Sequence, residues 1–335
     1  MLLFIGIFQR DVKKCRKEKN VLKSIDLEKK RKVNFMKRLS LQKYMLILVV
    51  PFVIYIIIFY YIPMFGVIGA FEDYSPVYGF FHSPWVGLKF FKYFLSGYYF
   101  KTILKNTVGI SFLKLFFGFP APIIFALLLN EMKALKFKKL TQTISYLPYF
   151  ISWVVVIGIV GRMLSIDGGI VNNVLMDVFG MKEPIVFLQE PQYMWPLAVI
   201  TDIWKGLGMS SIIYLATLTS INPELYESAA IDGANRWQKM FHISWPGIKP
   251  TVVMLFIFAA GGLFGSNFDQ MWQLGTSPTV RSTAEVFDTY IMREGFQNAN
   301  YSLGIAAGLM VSVVSFLLLL LVNGFAKIMG EEGVF

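Results

Sequence analysis

The sequence predicts an all-α integral membrane protein with six core transmembrane helices, an interfacial outer segment and a basic cytoplasmic N-terminal tail. Three observations lead to this fold class. Of the 335 residues, 56% are hydrophobic and only 16% are charged, and the mean hydropathy is +0.57. Six segments each hold about 20 mostly apolar residues, enough for a helix to cross a bilayer. The basic residues are concentrated in one terminal segment and in alternate loops, as in proteins with several spans.

The first element is a basic N-terminal extension, residues 1–43. It contains 14 Lys and Arg residues against 4 acidic residues, so it accounts for almost the whole net charge of +11. A basic segment beside a membrane span is attracted to anionic lipid head groups. We therefore expect a tail that contacts membrane lipid and no nucleic acid. Residues 44–330 are predicted to form one transmembrane domain.

Six apolar segments follow the tail. A helix satisfies its backbone hydrogen bonds within lipid, and these segments are too long and too uniformly apolar for barrel strands. The predicted spans are 44–64, 107–129, 144–164, 194–218, 251–274 and 303–325. Between the first two, residues 63–101 are dense in aromatic side chains with Lys89 and Lys92 interleaved, which predicts a segment lying at the lipid head groups.

The basic residues of the loops orient these spans. With the tail in the cytoplasm, 22 of the 32 Lys and Arg residues lie on the cytoplasmic side and 7 on the outer side. We therefore predict that both termini are cytoplasmic, and that the loop 222–250 between the fourth and fifth spans is cytoplasmic as well.

The residues available for chemistry argue against an enzyme. Cys15 is the only cysteine, and neither His82 nor His242 has a second nitrogen or sulfur ligand nearby in the sequence. Neither a metal site nor a disulfide framework is therefore predicted. The sequence also lacks the phosphate loop G-x-x-x-x-G-K-[ST], the G-x-S-x-G elbow and the H-E-x-x-H pair. We predict no catalytic residue, no cofactor bound by this chain, and no nucleotide hydrolysis by the chain itself.

The cytoplasmic loop has marked helix ends. Asn222 is a good N-cap, and Pro223 suits the first helical position, where its missing N–H leaves no bond unmade. Gly233 predicts that this helix ends with a glycine in the left-handed conformation. A second short helix is expected over 235–242, ending before Pro246. Because a first helix of about ten residues is marginal alone in water, we expect a partner surface to hold it.

A spaced pattern of acidic, small and apolar residues runs through this loop. Its members are Glu227, Ala229, Asp232, Gly233, Ala234, Ile243 and Pro246. The pattern resembles the EAA loop of permease subunits of bacterial binding-protein-dependent type I ABC importers. Ser228 and Trp245 depart from that family's usual alanine and leucine, but both keep a helix and a hydrophobic contact. The resemblance implies that these seven residues couple the chain to a cytoplasmic ATPase.

Further stretches are similar to the carbohydrate-uptake branch of this family. They are 106–107, 147–148 and 267–270, and a polysaccharide and complex-oligosaccharide subgroup is indicated by 287–295 and 301–302. The resemblance implies a permease of the bacterial plasma (inner) membrane that forms half of a path for an oligo- or polysaccharide. It also implies a second permease subunit, two ATPase subunits that bind ATP and magnesium, and an extracellular sugar-binding protein.

Polar residues near the outer half of the fifth span are candidates for substrate contact. The set is Asn267, Asp269, Trp272 and Gln273. Amide and carboxylate groups can meet sugar hydroxyls while an indole meets the C–H face of a ring. Packing against the second permease is the alternative for this set.

Four charged residues in or at the edge of the spans have simpler interpretations. Asp202 and Lys205, three residues apart on one predicted helix, are expected to neutralise each other. Lys114 and Arg162 are expected to extend their charged ends to the membrane interface.

Two other function classes remain open at this point. An ion-coupled secondary transporter or channel subunit could use Asp202, Lys205 and Asp269, although no internal inverted repeat is evident. A dependence on ATP or on an ion gradient separates it from an importer of the ABC class. A membrane-anchored enzyme acting on carbohydrate would need a water-facing carboxylate site, which the sequence does not offer.

Overall fold

A computed structural model describes residues 43–80, 82–132, 134–265, 267–328, 330 and 333. The predicted basic tail, apart from Lys43, lies outside the described residues, and so does Cys15. The chain divides into two units, 1–66 and 67–335, which are described separately. The predicted boundary between tail and transmembrane domain stays a prediction.

Helices account for the regular structure of the described residues, which contain no strand and one isolated bridge between Glu72 and Trp85. The all-α prediction is confirmed. The first unit contains α1 (Lys43–Ile56), the π-helical segment Ile57–Tyr61 and α2 (Ile62–Met64). The helices of the second unit are α3 (Lys89–Ser96), α4 (Phe100–Leu113), α5 (Pro120–Asn130), α6 (Leu135–Tyr146), α7 (Trp153–Met163), α8 (Ile170–Asp177), α9 (Met194–Thr219), α10 (Pro223–Ile231), α11 (Arg236–Lys239), α12 (Trp245–Gly261), α13 (Phe268–Leu274), α14 (Arg281–Ala284), α15 (Phe287–Ile291) and α16 (Tyr301–Ile328).

Several helical stretches are long and apolar enough to cross a membrane. Among the described residues these are Lys43–Ala70, Phe100–Asn130, Arg236–Gly261 and Tyr301–Ile328, with a fifth if α6 and α7 are counted as one bent span. Helix α9 has 26 residues, which is long enough to span, but it carries Asp202 and Lys205 and is less apolar. The predicted count of six spans therefore stays a prediction.

The third predicted span, 144–164, is broken. Helix α6 ends at Tyr146, and the axis bends by 104° before α7 begins. Pro148 lies in the short 3₁₀ segment between the helices, and Ile151 then takes an extended conformation. Proline cannot donate a backbone hydrogen bond, and the Oγ atom of Ser152 starts α7 by accepting from the Val155 N–H at 3.4 Å. These local features explain the bend, which hydropathy alone does not register.

The fifth predicted span, 251–274, begins earlier than expected and is interrupted. Helices α11 and α12 run on through the π-helical segment Met240–Ser244, so the prediction of a short helix ending before Pro246 is wrong. The last π-type bond joins the Trp245 N–H to the Met240 carbonyl, and Pro246 follows in the first turn of α12. Pro246 cannot donate a backbone hydrogen bond, and the wider π turn before it lets the proline lie within the continuous helix. At the other end, α12 stops at Gly261 and α13 starts only at Phe268.

Helix α9 forms the centre of the second unit. It packs against α5, α6 and α12 and against the π-helical segment Lys114–Gly118. At one end of the unit, Phe94 of α3 is 2% exposed and lies among Phe100, Phe287 and Tyr290. Full burial of such a ring contributes about 1.5–3 kcal/mol, so α3 is anchored to the bundle by this side chain.

Candidate coupling loop and transmembrane polar cavity

Helix α10 begins and ends as its sequence predicts. The Asn222 Oδ1 atom accepts a hydrogen bond from the Glu224 N–H at 3.0 Å, and Pro223 takes the first helical position. Gly233 adopts a φ of 78°, and the Ala234 N–H bonds back to the Ala229 carbonyl at 2.9 Å. Left-handed glycine together with this bond closes the last turn of a helix. Both ends of the nine-residue helix are therefore set locally.

The next helix, α11, begins at Arg236, three residues after Gly233. The Asn235 Oδ1 atom accepts from the Gln238 N–H at 2.9 Å, and the Gln238 side chain accepts from the Asn235 N–H at 2.7 Å. This reciprocal capping box satisfies two backbone donors at the start of α11. The continuous helix from α11 through α12 thus starts directly beside the end of α10.

Helix α10 has little support from its own chain. None of its residues is buried, and Ile231 is 87% exposed. A hydrogen bond of 2.9 Å between the Tyr226 hydroxyl and the Ser244 Oγ atom connects α10 to the π-helical segment that precedes α12. A helix of this length is marginal by itself. Its apolar residues Leu225 and Ile231 are therefore left exposed.

Five of the seven predicted coupling residues surround one surface cavity of about 290 Å³. These are Ala229, Asp232, Gly233, Ala234 and Ile243, and Gln238, Lys239 and His242 complete the lining. Glu227 is exposed on α10 and Pro246 lies in the first turn of α12, so neither is part of this lining. The contribution of all seven residues to coupling stays a prediction.

A second group of polar residues lies between α9 and the π-helical segment Lys114–Gly118. The Lys114 Nζ atom is 3.3 Å from the Asp202 Oδ1 atom and donates to the Gln270 Oε1 atom at 2.6 Å. The Asn267 Nδ2 atom donates to the same Asp202 oxygen at 3.4 Å. The expectation that Lys114 extends to the interface is therefore wrong, because an acidic partner holds it inside the bundle.

The expected pair of Asp202 with Lys205 is wrong as well. Lys205 donates to three backbone carbonyls, those of Pro148 at 3.3 Å, Tyr149 at 2.6 Å and Ile151 at 2.6 Å. These carbonyls belong to the break between α6 and α7, where Pro148 accepts one backbone N–H, that of Ile151, and the regular α-helical bonds are interrupted. Lys205 thus donates hydrogen bonds to the backbone at the break, and Asp202 forms its ion pair with Lys114 instead.

The four predicted sugar-contacting residues do not meet at one point. Asn267 lines the cavity that holds Lys114 and Asp202, whereas Trp272 lines a different cavity of about 190 Å³. Asp269 is exposed, and Gln273 is half-buried on α13. Their part in sugar binding stays a prediction. Gln270 was missed although it lies within the stretch 267–270, because nothing in the local sequence indicates its distant partners Lys114, Ala198 and Thr201.

The cavity beside Trp272 contains an ion pair. Arg293 bonds to the carboxylate of Glu285, whose side chain is 7% exposed, and Arg281 also lines this cavity. Burial raises the pKa of the Glu285 carboxyl, while the nearby charges of Arg293 and Arg281 oppose that rise. The described part of the chain has no group of three or more His, Cys, Asp or Glu side chains that could hold a metal ion.

Comparison with known proteins identifies the class of this chain. Residues 118–330 match the family described as the binding-protein-dependent transport system inner membrane component. Protein LplB of Bacillus subtilis is 39% identical over 303 residues, covering 90% of this chain and 94% of that protein. The polygalacturonan/rhamnogalacturonan transport system permease protein YteP of the same species is 39% identical over 312 residues, covering 93% and 96%.

A solved structure agrees with these sequence relatives. The crystal structure of a bacterial alginate ABC transporter, in complex with its alginate pentasaccharide-bound periplasmic protein, contains a chain that is 38% identical to this one. The two superimpose with a TM-score of 0.80, covering 89% of this chain and 99% of that chain. The resemblance predicted from the loop is confirmed, and so is the prediction that the chain is not itself an enzyme. This chain belongs to the family of binding-protein-dependent transport system inner membrane components, the permease subunits of ABC importers.

Proposed function

We propose that this chain is the transmembrane permease subunit of an ATP-driven importer of oligo- or polysaccharide and forms half of its translocation path. In this proposal it lies in the bacterial plasma membrane with both termini and the loop 222–250 in the cytoplasm. Its partners are a second permease subunit, two ATPase subunits and an extracellular sugar-binding protein. The observation that carries the proposal is α10, a helix capped at both ends that has no fully buried residue within the described chain.

The proposed coupling step follows from how α10 is attached. An ATPase subunit takes α10 into a groove, where Ile231 and the cavity lined by Ala229 and Gly233 become contact surface. When two ATPase subunits close on ATP, α10 moves with them. Two rigid connections pass the movement on, namely the Tyr226–Ser244 bond and the capping box of Asn235. Both connections end on the continuous helix that includes α12, so we expect that helix to rock when α10 moves.

Two relatives suggest which sugars to test first. The name of one relative specifies polygalacturonan/rhamnogalacturonan transport, and the solved importer takes the acidic polysaccharide alginate. Both names describe polymers, and the alginate structure holds a bound pentasaccharide. We therefore infer that fragments of acidic polysaccharides are the substrate class for this chain.

Uptake by the reconstituted importer tests the energy source. The chain is assembled in proteoliposomes with its partner permease, ATPase and binding protein, and labelled oligogalacturonide or alginate fragments are supplied outside. We expect uptake that requires ATP on the cytoplasmic side and continues when an ionophore removes all ion gradients. Uptake that an ionophore abolishes and that needs no ATP would instead support the ion-coupled transporter.

A further inference from the structure

Helix α6 has an apolar face that the rest of the described chain leaves uncovered. Another face packs against α9, where the backbone of Ser145 lies close to Gly208. None of the residues of α6 is buried. Apolar side chains follow one another at the helical spacing i, i+3, i+7 and i+10, and each of them is between 54% and 59% exposed. This apolar stripe consists of Phe137, Leu140, Ile144 and, just after the end of α6, Leu147.

Two lysines lie beside the apolar stripe at the beginning of α6. Lys136 lies one turn before Leu140, and Lys139 is three residues after Lys136, so the two lysines are neighbours on the helix surface. Both are exposed, and neither forms an ion pair with an acidic side chain among the described residues. Cations near the beginning of a helix oppose its dipole. These lysines therefore do not stabilise α6 by themselves, and their charge is available to a negatively charged partner.

The beginning of α6 lies close to the end of a membrane-spanning stretch. Phe100–Asn130 is long and apolar enough to cross a bilayer, and α6 starts at Leu135. Even a fully extended connection of this length reaches at most about 18 Å, so the two lysines lie near the membrane surface. The basic residues of the loops predict that this surface is the cytoplasmic one. Because α6 and α7 together are apolar enough for one bent span, the apolar stripe leads from this surface into the bilayer.

A phospholipid suits this combination of groups better than a protein does. Protein–protein interfaces are depleted in lysine, and their cores exclude charged residues. At a membrane surface the same arrangement is favourable, because apolar side chains contact acyl chains while lysines extend to the head groups. Helix α6 contains no acidic residue that would repel a negative head group. The two unpaired lysines therefore favour anionic phospholipids over zwitterionic ones.

We propose that the apolar stripe together with Lys136 and Lys139 is a binding site for an anionic phospholipid of the cytoplasmic leaflet. The phosphate of the head group contacts the two ammonium groups, and an acyl chain lies along the stripe. Helix α6 leads into the break where Lys205 of α9 binds the Tyr149 and Ile151 carbonyls, so the lipid supports a bent part of the bundle. This inference goes beyond the proposed function and does not depend on which sugar is carried.

Photo-cross-linking from position 137 identifies what covers the apolar stripe. A photo-reactive phenylalanine analogue replaces Phe137 in the complete importer, which is placed in nanodiscs containing equal amounts of phosphatidylglycerol and phosphatidylcholine. Mass spectrometry then identifies the adducts. We expect phospholipid adducts in which phosphatidylglycerol exceeds phosphatidylcholine at least threefold. Adducts mainly with the second permease or an ATPase subunit, or equal amounts of the two lipids, would overturn the proposal.

Two double variants test whether the lysines cause this preference. Lys136→Gln/Lys139→Gln removes both charges, and Lys136→Arg/Lys139→Arg keeps them. Glutamine and arginine are both good helix formers, so α6 is expected to stay intact in each variant. We expect equal amounts of the two lipid adducts in the glutamine variant and the wild-type preference in the arginine variant. A preference that persists in the glutamine variant would overturn the assigned role of the lysines.

Position 316 provides a matched control for the cross-linking. Phe316 on α16 is 58% exposed, as is Phe137, and the only basic residue of α16 is Lys327, eleven positions away. We expect lipid adducts at position 316 without preference for phosphatidylglycerol. An equal preference at both positions would show a general enrichment of this lipid around the importer and overturn the site on α6. ATP-driven sugar uptake is measured separately, so a failure of the proposed function is recognised independently of the lipid result.

Discussion

Lys205 shows how a single side chain allows a helix to break inside a bundle. Lys205 is 9% exposed, and its ammonium group donates to the carbonyls of Pro148, Tyr149 and Ile151. The same group lies 5.3 Å from the ring centre of Tyr149 and 5.5 Å from that of Trp153. Three backbone acceptors and two aromatic faces thus surround one cation. We therefore expect this lysine to stabilise the 104° bend that Pro148 and Ser152 introduce between α6 and α7.

Replacing Lys205 with Met tests this interpretation. Methionine fills much of the same space but cannot donate, so the Tyr149 and Ile151 carbonyls lose the donor that Lys205 provides, whereas the Pro148 carbonyl still accepts from the Ile151 N–H. Each unsatisfied group costs about 1–3 kcal/mol, and we expect a loss of at least about 2 kcal/mol in the free energy of unfolding. The measurement is thermal unfolding of the purified complex. Lys105→Met, at an exposed position of α4, is the control. Equal melting temperatures for both variants would contradict the assignment.

At the scale of single residues, the sequence predicted local contacts better than distant ones. Asn222 and Gly233 were identified correctly because a cap bonds to atoms two to five residues away. The ion pair of Lys114 with Asp202 joins residues that are 88 apart in the chain. Periodicity on one helix favoured Lys205 as the partner of Asp202, but it could not register that the break at Pro148 competes for the same lysine.

At the scale of elements, α10 is positioned by its ends. A Schellman-type closure at Gly233 fixes its last turn, and the capping box of Asn235 starts the next helix at once. Its side chains contribute little burial. The direction of α10 relative to α12 therefore depends on the backbone conformation of the residues between them.

Placing Val at Gly233 tests this dependence. A β-branched residue in the left-handed region costs about 1–2 kcal/mol, so the connection between α10 and α11 is expected to shift. Gly180 in the loop between α8 and α9 is a matched control, since it has a φ of 69° against 78° and a Cβ atom meets nothing within 4 Å at either position. We expect Gly233→Val to lower uptake at least tenfold with basal ATP hydrolysis retained, and Gly180→Val to change uptake less than twofold. Similar losses in both would show a general folding defect.

The elements that the sequence predicted incorrectly share a physical cause. Pro246 suggested the end of a helix, but the wider turn of the π-helical segment before it accommodates the proline within a continuous helix. Hydropathy suggested continuous spans through Pro148 and Gly262. It is an average over many residues, so it does not register single residues at which the helical backbone is interrupted. Apolar composition gave the positions of the spans, whereas proline, glycine and π turns determined where the helices bend or stop.

At the scale of the whole molecule, the proposed mechanism connects the coupling loop, the long helix that includes α12 and the polar cavity that holds Lys114 and Asp202. The coupling loop lies at one end of the long helix that includes α12, and the polar cavity lies where that helix breaks at Gly262. A rocking of this helix would therefore change the cavity directly. The family match at 118–330 includes the coupling loop and most of the cavity wall, but not Ser111, Lys114 and Leu115. The basic residues predict that the loop end is cytoplasmic.

Cross-linking from Ile231 tests most directly whether α10 docks onto an ATPase. The side chain is 87% exposed, so a photo-reactive amino acid fits there without disturbing the fold. The same reagent at Gly180 is the control in the assembled importer. We expect a covalent adduct between the Ile231 position and the ATPase subunit, and no ATPase adduct from position 180. Adducts of position 231 with lipid alone or with the extracellular binding protein would contradict the docking of α10.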